Sequence, residues 1–179
     1  IDVTPVNDAP TSVDASASTL EDTAYIIQTS DFTFGDDEGD NLQAVKITSL
    51  PTNGTLTFNG SAVLADAVIS IGDITLGKLV FTPSANENGV AYADFTFQLQ
   101  DDGGTDNGGI NLSEEKTFTI DVTPVNDAPE LTGEKATLVN GNEDFSYTIS
   151  AADLLTGYTD VDLDTLSILD LDAGPDFTI

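Results

Sequence analysis

Ile1–Pro10 reads IDVTPVNDAP, and Ile120–Pro129 reads IDVTPVNDAP again, identical at every position. A recurrence of that length in a chain of 179 residues marks a tandem repeat. Ile-Asp-Val-Thr alternates apolar and polar side chains, the pattern of a half-buried strand. Pro-Val-Asn-Asp-Ala-Pro follows, and each proline fixes its own φ and pushes the preceding residue towards extended backbone. Between the prolines sit Asn7 and Asp8, repeated as Asn126 and Asp127. A strand, then an extended linker carrying oxygen ligands at the seam of a repeat, describes a joint that a hard cation could stiffen.

Working outward from that seam, the residues between the two copies alternate in short runs. Thr11 to Thr19 reads as a weak strand, and Tyr25 to Thr29 as a second with Tyr25 and Ile27 on one face. Phe32 and Phe34 lie in a short turn, DFTFG, and are expected in the core. Gln43 to Leu50 is predicted as a strand with Val45 and Ile47 inward, and Asn53-Gly54 as the tight turn that joins it to Thr55 to Phe58. Leu64 to Leu76 is ambiguous, with Ile69 and Ile71 hinting at a short strand. Lys78 to Pro83 places Leu79 and Phe81 together. Tyr92 to Gln100 sets Ala93, Phe95, Phe97 and Leu99 on one face, and Lys116 to Thr123 does the same for Phe118, Ile120 and Val122. About seven short strands separated by turn signals, without a strong helix, predict an all-β Greek-key β-sandwich of the immunoglobulin type.

The chain is thus expected to hold the last strand and linker of a preceding repeat (1–10), a complete repeat (11–129) and the N-terminal part of a following one (130–179). After Pro129, Glu143-Asp144 aligns with Glu21-Asp22, Asp153-Leu154 with Asp31-Phe32, and Asp160-Val-Asp162-Leu-Asp164 with Asp36-Asp-Glu38-Gly-Asp40.

Composition removes several classes of function. The formal net charge is −28, with Lys46, Lys78, Lys116 and Lys135 the only cationic side chains. Nucleic acid binding needs clustered Lys or Arg, and anionic lipid needs the same. Neither partner is expected, nor membrane insertion, since no run of about 18 apolar residues occurs. There is no Cys and no His, hence no disulfide, no activated nucleophile and no soft-metal site. Carboxylate pairs alone, without a pocket to raise one pKa, do not make a hydrolase, so no enzyme is expected. Asn53, Asn59 and Asn111 begin glycosylation sequons, but two of these are Asn-Gly turns. What remains is acidic and amide side chains concentrated at loops: Glu21-Asp22, Asp36 to Asp40, Asn86 to Asn88, Asp101-Asp102 and the two linkers. Carboxylate, amide and backbone oxygens are the donors that Ca²⁺ takes, six to eight at a time.

The strand followed by xNDxAP resembles the interdomain linker of cadherin repeats, and still more the cadherin-like tandem repeats of giant secreted bacterial adhesins, including those of the RTX type. That resemblance implies Ca²⁺ between consecutive domains. The lower domain would contribute Glu21, Asn86, Asn88, Asn126 and Asp127, and the upper one Asp160 and Asp162. At the N-terminal junction Asn7 and Asp8 would meet Asp36, Glu38 and Asp101, with Asp22, Glu87 and Asp102 as alternates. Asn86-Glu87-Asn88 departs from the D-R-E of animal cadherins, which lowers the charge there. The implied role is a calcium-rigidified extender of a secreted, cell-surface adhesin serving adhesion or biofilm formation, with neighbouring repeats of the same chain as partners. Two alternatives stay open: a carbohydrate-binding module, for which Tyr92 and Tyr158 are the available aromatics, and a self-assembling filament with homophilic contacts.

Overall fold

A computed structural model describes residues 1–142 and 144–169, divided into two compact units, Ile1–Val125 and Asn126–Ile179. Glu143, the counterpart of Glu21 by alignment, and residues 170–179 lie outside the described residues.

In the first unit β1 (Thr11–Ser12), β2 (Ala15–Leu20), β3 (Tyr25–Ile26), β4 (Phe34–Gly35), β5 (Leu42–Ile47) and β6 (Thr55–Phe58) come first. They are followed by β7 (Ser61–Ala62), β8 (Ala67–Ser70), a single short helix α1 (Ile71–Thr75), β9 (Leu79–Thr82), β10 (Gly89–Asp101) and β11 (Lys116–Thr123). One sheet has the order β2-β11-β10-β5-β8, the other β3-β9-β6-β7, and β1 pairs with β4. All pairings in the two sheets are antiparallel except β11 with β2, the last and first long strands, which run parallel in register from Phe118↔Ala15 to Thr123↔Leu20. The all-β, Ig-like sandwich is therefore the observed fold.

The alternation read along the strands is the alternation buried. Phe95, Phe97, Phe118, Ile120, Val45, Ile47, Leu79 and Phe81 are fully enclosed. Burying each such side chain contributes roughly 1.5–3 kcal/mol before entropy is counted. Phe95 and Phe118 stack with ring centroids 5.0 Å apart, and Phe32 meets Phe97 edge-on at 5.0 Å, the geometries that the ring quadrupole favours.

Four local expectations are corrected. Asn53-Gly54 does turn the chain, with Gly54 at φ 69°, but it carries the chain from one sheet to the other, since β5 and β6 do not pair. Thr11 to Thr19 is two strands, because β1 joins β4 while β2 joins β11. Ile71 is helical: the Ser70 hydroxyl accepts the Asp73 amide at 3.1 Å and caps α1, whose Ile74 fills the core. Ile1–Thr4 forms no strand and is exposed, whereas the identical Ile120–Thr123 lies in β11 between two neighbours. Sequence makes a strand only where a partner takes its backbone groups.

The second unit rebuilds the opening of the first. β12 (Glu130–Leu131) pairs with β13 (Tyr158–Thr159) as β1 pairs with β4. Ser150 and Asp153 form a capping box at α2 (Ala151–Leu155), where the first unit has a 3₁₀ turn boxed by Gln28 and Asp31.

Candidate metal centres of the repeat

Strand β10 runs from one oxygen-rich end of the first unit to the other. At its C-terminal end Asp101 is wholly buried. An ionised carboxylate taken out of water needs donors or a cation, and here the donors are the Gly103 amide, at 2.9 Å, and the linker. Asn7 Nδ2 donates to Asp101 Oδ1 at 3.1 Å and lies within reach of the Gly104 and Ile110 carbonyls at 3.2 and 2.8 Å. The Ile110 amide returns a bond to the Asn7 carbonyl at 2.9 Å. The linker is thereby docked on the sandwich that follows it.

Around this anchor the acidic loop folds on itself. Asp36 Oδ1 accepts the Glu38 and Asp40 amides at 3.0 and 2.9 Å, and Gly39 takes φ 85°. The Asp8 and Glu38 carboxylates lie near enough for their charges to repel. A Cβ placed on Gly103 would stand 2.0 Å from Asn7 Oδ1 and 2.1 Å from Asp40 Oδ2, so only a residue without a side chain lets these two oxygens close in on each other there. Asn7 Oδ1 and Asp36 Oδ2 are buried without a hydrogen-bond donor. Partial desolvation, and then the Asp8 charge, holds the Glu38 carboxyl above its ordinary pKa. Desolvation and the charges of Asp36, Asp102 and Asp101 do the same for Asp40. Lys46, Lys78 and Lys116 are paired to Asp66, Asp73 and Glu114, so those three lysines supply no countercharge. Crowded carboxylates, buried acceptors without donors and two oxygens converging over Gly103 fit a hard, oxygen-seeking cation, and the donor set is that of Ca²⁺ rather than of zinc or copper.

Asn7, Asp8, Asp36, Glu38 and Asp101 thus come together at one end. Asp40 belongs with them and was missed, although its partner Asp164 recurs at the same place in the second copy's D-x-D-x-D run. Asp102, weighed as an alternate, is occupied structurally: Asn41 donates to both its oxygens, by its amide at 2.7 Å and its side chain at 3.2 Å, and holds its pKa down.

At the other end Glu21 is 3% exposed. Its carboxylate accepts the Val125 amide and, at 3.0 Å, Asn88 Nδ2. Asp22, at φ 56°, accepts the Asn86 amide at 3.0 Å, which leaves the Asn86 side chain to solvent. Glu87 accepts the Tyr92 hydroxyl at 2.5 Å. Tyr92 also takes the Ser84 amide and packs on the core, so it forms no exposed platform for a sugar.

In the second unit the linker-and-loop arrangement recurs. Asp160 Oδ1 accepts the Asp162 and Asp164 amides at 3.0 and 3.3 Å, and the Asp127 amide donates to Asp162 at 2.7 Å. Leu163 occupies the left-handed position of Gly39, at φ 64°. Asn126 Nδ2 bonds the Asp127 carbonyl at 3.0 Å, a different use from that of Asn7.

Residues 7–123 match the family model of a bacterial Ig domain, and residues 125–177 match that of a cadherin-like domain. A comparison with curated proteins returns no match. Domains of these two kinds are typical of extracellular and surface proteins, and they serve in general as non-catalytic modules. Among the described residues no helix is long and apolar enough to cross a membrane.

Proposed function

The chain belongs to the bacterial Ig-domain family, with a cadherin-like domain after it, and from that premise we propose that it is a calcium-stiffened extender module of a secreted bacterial surface adhesin. One observation carries the reading. The linker amide and the D-x-E-x-D loop present Asn7 Oδ1, Asp36 Oδ2 and Asp40 Oδ2 beside the buried Asp101, with no cationic side chain among their hydrogen-bond partners. Asn7, Asp36, Asp40 and Asp101 would hold the ion, with Glu38 and Asp8 at its edge. Calcium held there would bind linker and following sandwich at once, so the linker could bend only by giving up ligands. The recurrence of the D-x-D-x-D loop against the Asn126-Asp127 linker supports the same use in the second copy.

The test is a thermal and calorimetric titration with Ca²⁺ against Mg²⁺ at equal ionic strength. Binding to the native state alone stabilises by RT ln(1 + [L]/Kd), about 2.7 kcal/mol at a hundredfold excess. Equal shifts with the two cations would reduce the effect to screening and defeat the reading. The extender role has its own readout: small-angle scattering of a chain with two complete repeats, with calcium and with chelator. The same maximum dimension in both, with the domains folded, would remove it.

A further inference from the structure

Four asparagines stand among the candidate ligands, and the residue after each differs in kind. Asn7 and Asn126 precede aspartate, Asn86 precedes glutamate, and Asn88 alone precedes glycine. That neighbour governs a reaction of asparagine with its own backbone. The amide nitrogen of the next residue attacks the side-chain Cγ, ammonia leaves, and the cyclic imide is opened by water to aspartate or isoaspartate. No oxidant, reductant or enzyme is needed, and a glycine imposes least hindrance on the attacking nitrogen.

We propose that Asn88 is a self-modification site whose conversion retunes the cation demand of the Glu21 end; the second half of that statement rests on the calcium reading above, extended to the Glu21, Asn86 and Asn88 donors that the family resemblance implies. Asn88 is exposed to the water that must open the imide. Ring closure needs backbone freedom around Gly89, and the bulge that follows it is where the strand offers it. Gly89 pairs with Val122, after which the register slips until Ala93 meets Ile120. Within the bulge Ala91 takes φ 48° and Val90 is 90% exposed. Gly89 keeps its pairing with Val122 and Asp121 Oδ1 holds the Ala91 amide at 2.6 Å, so the freedom after Asn88 lies in the unpaired residues of the bulge itself.

The product changes the sign of one contact. Asn88 Nδ2 now donates to Glu21 at 3.0 Å, and Glu21 is buried. A carboxylate in place of that amide turns donor-to-acceptor into acceptor-to-acceptor and sets two like charges side by side. Without a cation the change destabilises the β2–β11 end of the sandwich. With a divalent ion it adds a charged ligand. Isoaspartate instead lengthens the backbone by a carbon at the entry to β10 and carries the carboxylate away. The pairs at Asn53, Asn59, Asn107 and Asn140 are also followed by glycine but donate to no buried carboxylate, so conversion there adds charge without this consequence.

The experiment ages the purified chain in mildly alkaline chelator buffer, folded and in urea, and maps peptides by mass. Asn88 should convert in the folded protein at a rate near that of the denatured chain, while Asn7, Asn86 and Asn126 persist. Asn88 surviving in the folded protein while it converts in urea overturns the proposal. Asn88→Asp and Asn88→Gln are then titrated with Ca²⁺. The aspartate variant should melt lower in chelator and bind on the order of tenfold tighter than the parent, with glutamine no tighter. Equal affinity of Asn88→Asp and the parent overturns the retuning. If neither chain binds Ca²⁺ at all, the calcium reading has failed and the retuning with it, and the ageing arm still decides the conversion.

Discussion

Gly103→Ala isolates the geometry on which the metal reading rests. Gly103 is not at positive φ, so on backbone grounds alanine should gain about 0.4–1 kcal/mol by restricting the unfolded chain. The new Cβ, however, would stand 2.0 Å from Asn7 Oδ1, 2.5 Å from Asn7 Cγ and 2.1 Å from Asp40 Oδ2. Asp40 can swing towards solvent. Asn7 can move only by giving up its bonds to Asp101 and to the Gly104 and Ile110 carbonyls. A hydrogen bond to a charged group is worth about 1.5–3 kcal/mol and a neutral one about 1. The two hydrogens of the Asn7 amide make at most two such bonds at once, so about 1.5 for the charged one and about 1 for a carbonyl, less the entropic gain, leaves a net loss of about 2 kcal/mol. The loss falls on detachment of the linker rather than on global unfolding, so it should be read locally. The Ile110 amide, bonded to the Asn7 carbonyl at 2.9 Å, should exchange with solvent about 30-fold faster in the variant, with amides of the central Phe97 unchanged. In an Asn7→Ala background the same substitution should cost much less. Unchanged or slower exchange at Ile110 in the single variant would refute the cradle.

Phe95→Ala, which removes the ring stacked on Phe118, should lower unfolding free energy by about 3–5 kcal/mol in urea titration. Leu163→Gly should stabilise its loop by about 1 kcal/mol, the roughly 1–2 kcal/mol cost of a left-handed leucine less the roughly 0.4–1 that glycine adds to unfolded-chain entropy; slower exchange of the Asp164 amide would show it. Glu38 and Asp40 have raised native pKa values, so the folded chain holds their protons more tightly than the unfolded one. Their ionisation therefore costs stability as pH rises from about 4 through those raised values. In chelator Glu38→Gln with Asp40→Asn should melt with the parent at the acid end of that window and above it at neutral pH. In calcium the order at neutral pH should reverse, which differential scanning at several pH values would check.

Much of the sandwich was legible because burial copies alternation. Each predicted inward residue of β9, β10 and β11, from Leu79 to Val122, is enclosed. What failed was pairing. Asn53-Gly54 signals a turn but not whether the two strands it joins share a sheet, and β5 and β6 do not. Nor does alternation distinguish the Ile-Asp-Val-Thr that has neighbours from the one that has none. At the site, the loop residues were readable from two aligned copies. Asp40 was passed over because ligand choice followed the D-x-D pair, whereas the fold brings the fifth loop residue over Gly103. The docking of Asn7 on Asp101 depends on residues 94 apart and left no local signal.

The parallel pairing of β2 with β11 has a mechanical side. These are the strands nearest the two ends of the sandwich, and six register pairs tie them together. A pull that drags the N-terminal end of β2 one way and the C-terminal end of β11 the other slides the strands lengthwise. Their backbone bonds then bear the load together instead of opening one after another from an end, as in an unzipped hairpin. In the proposed extender role, the seam where the sandwich closes would be the element loaded in this way.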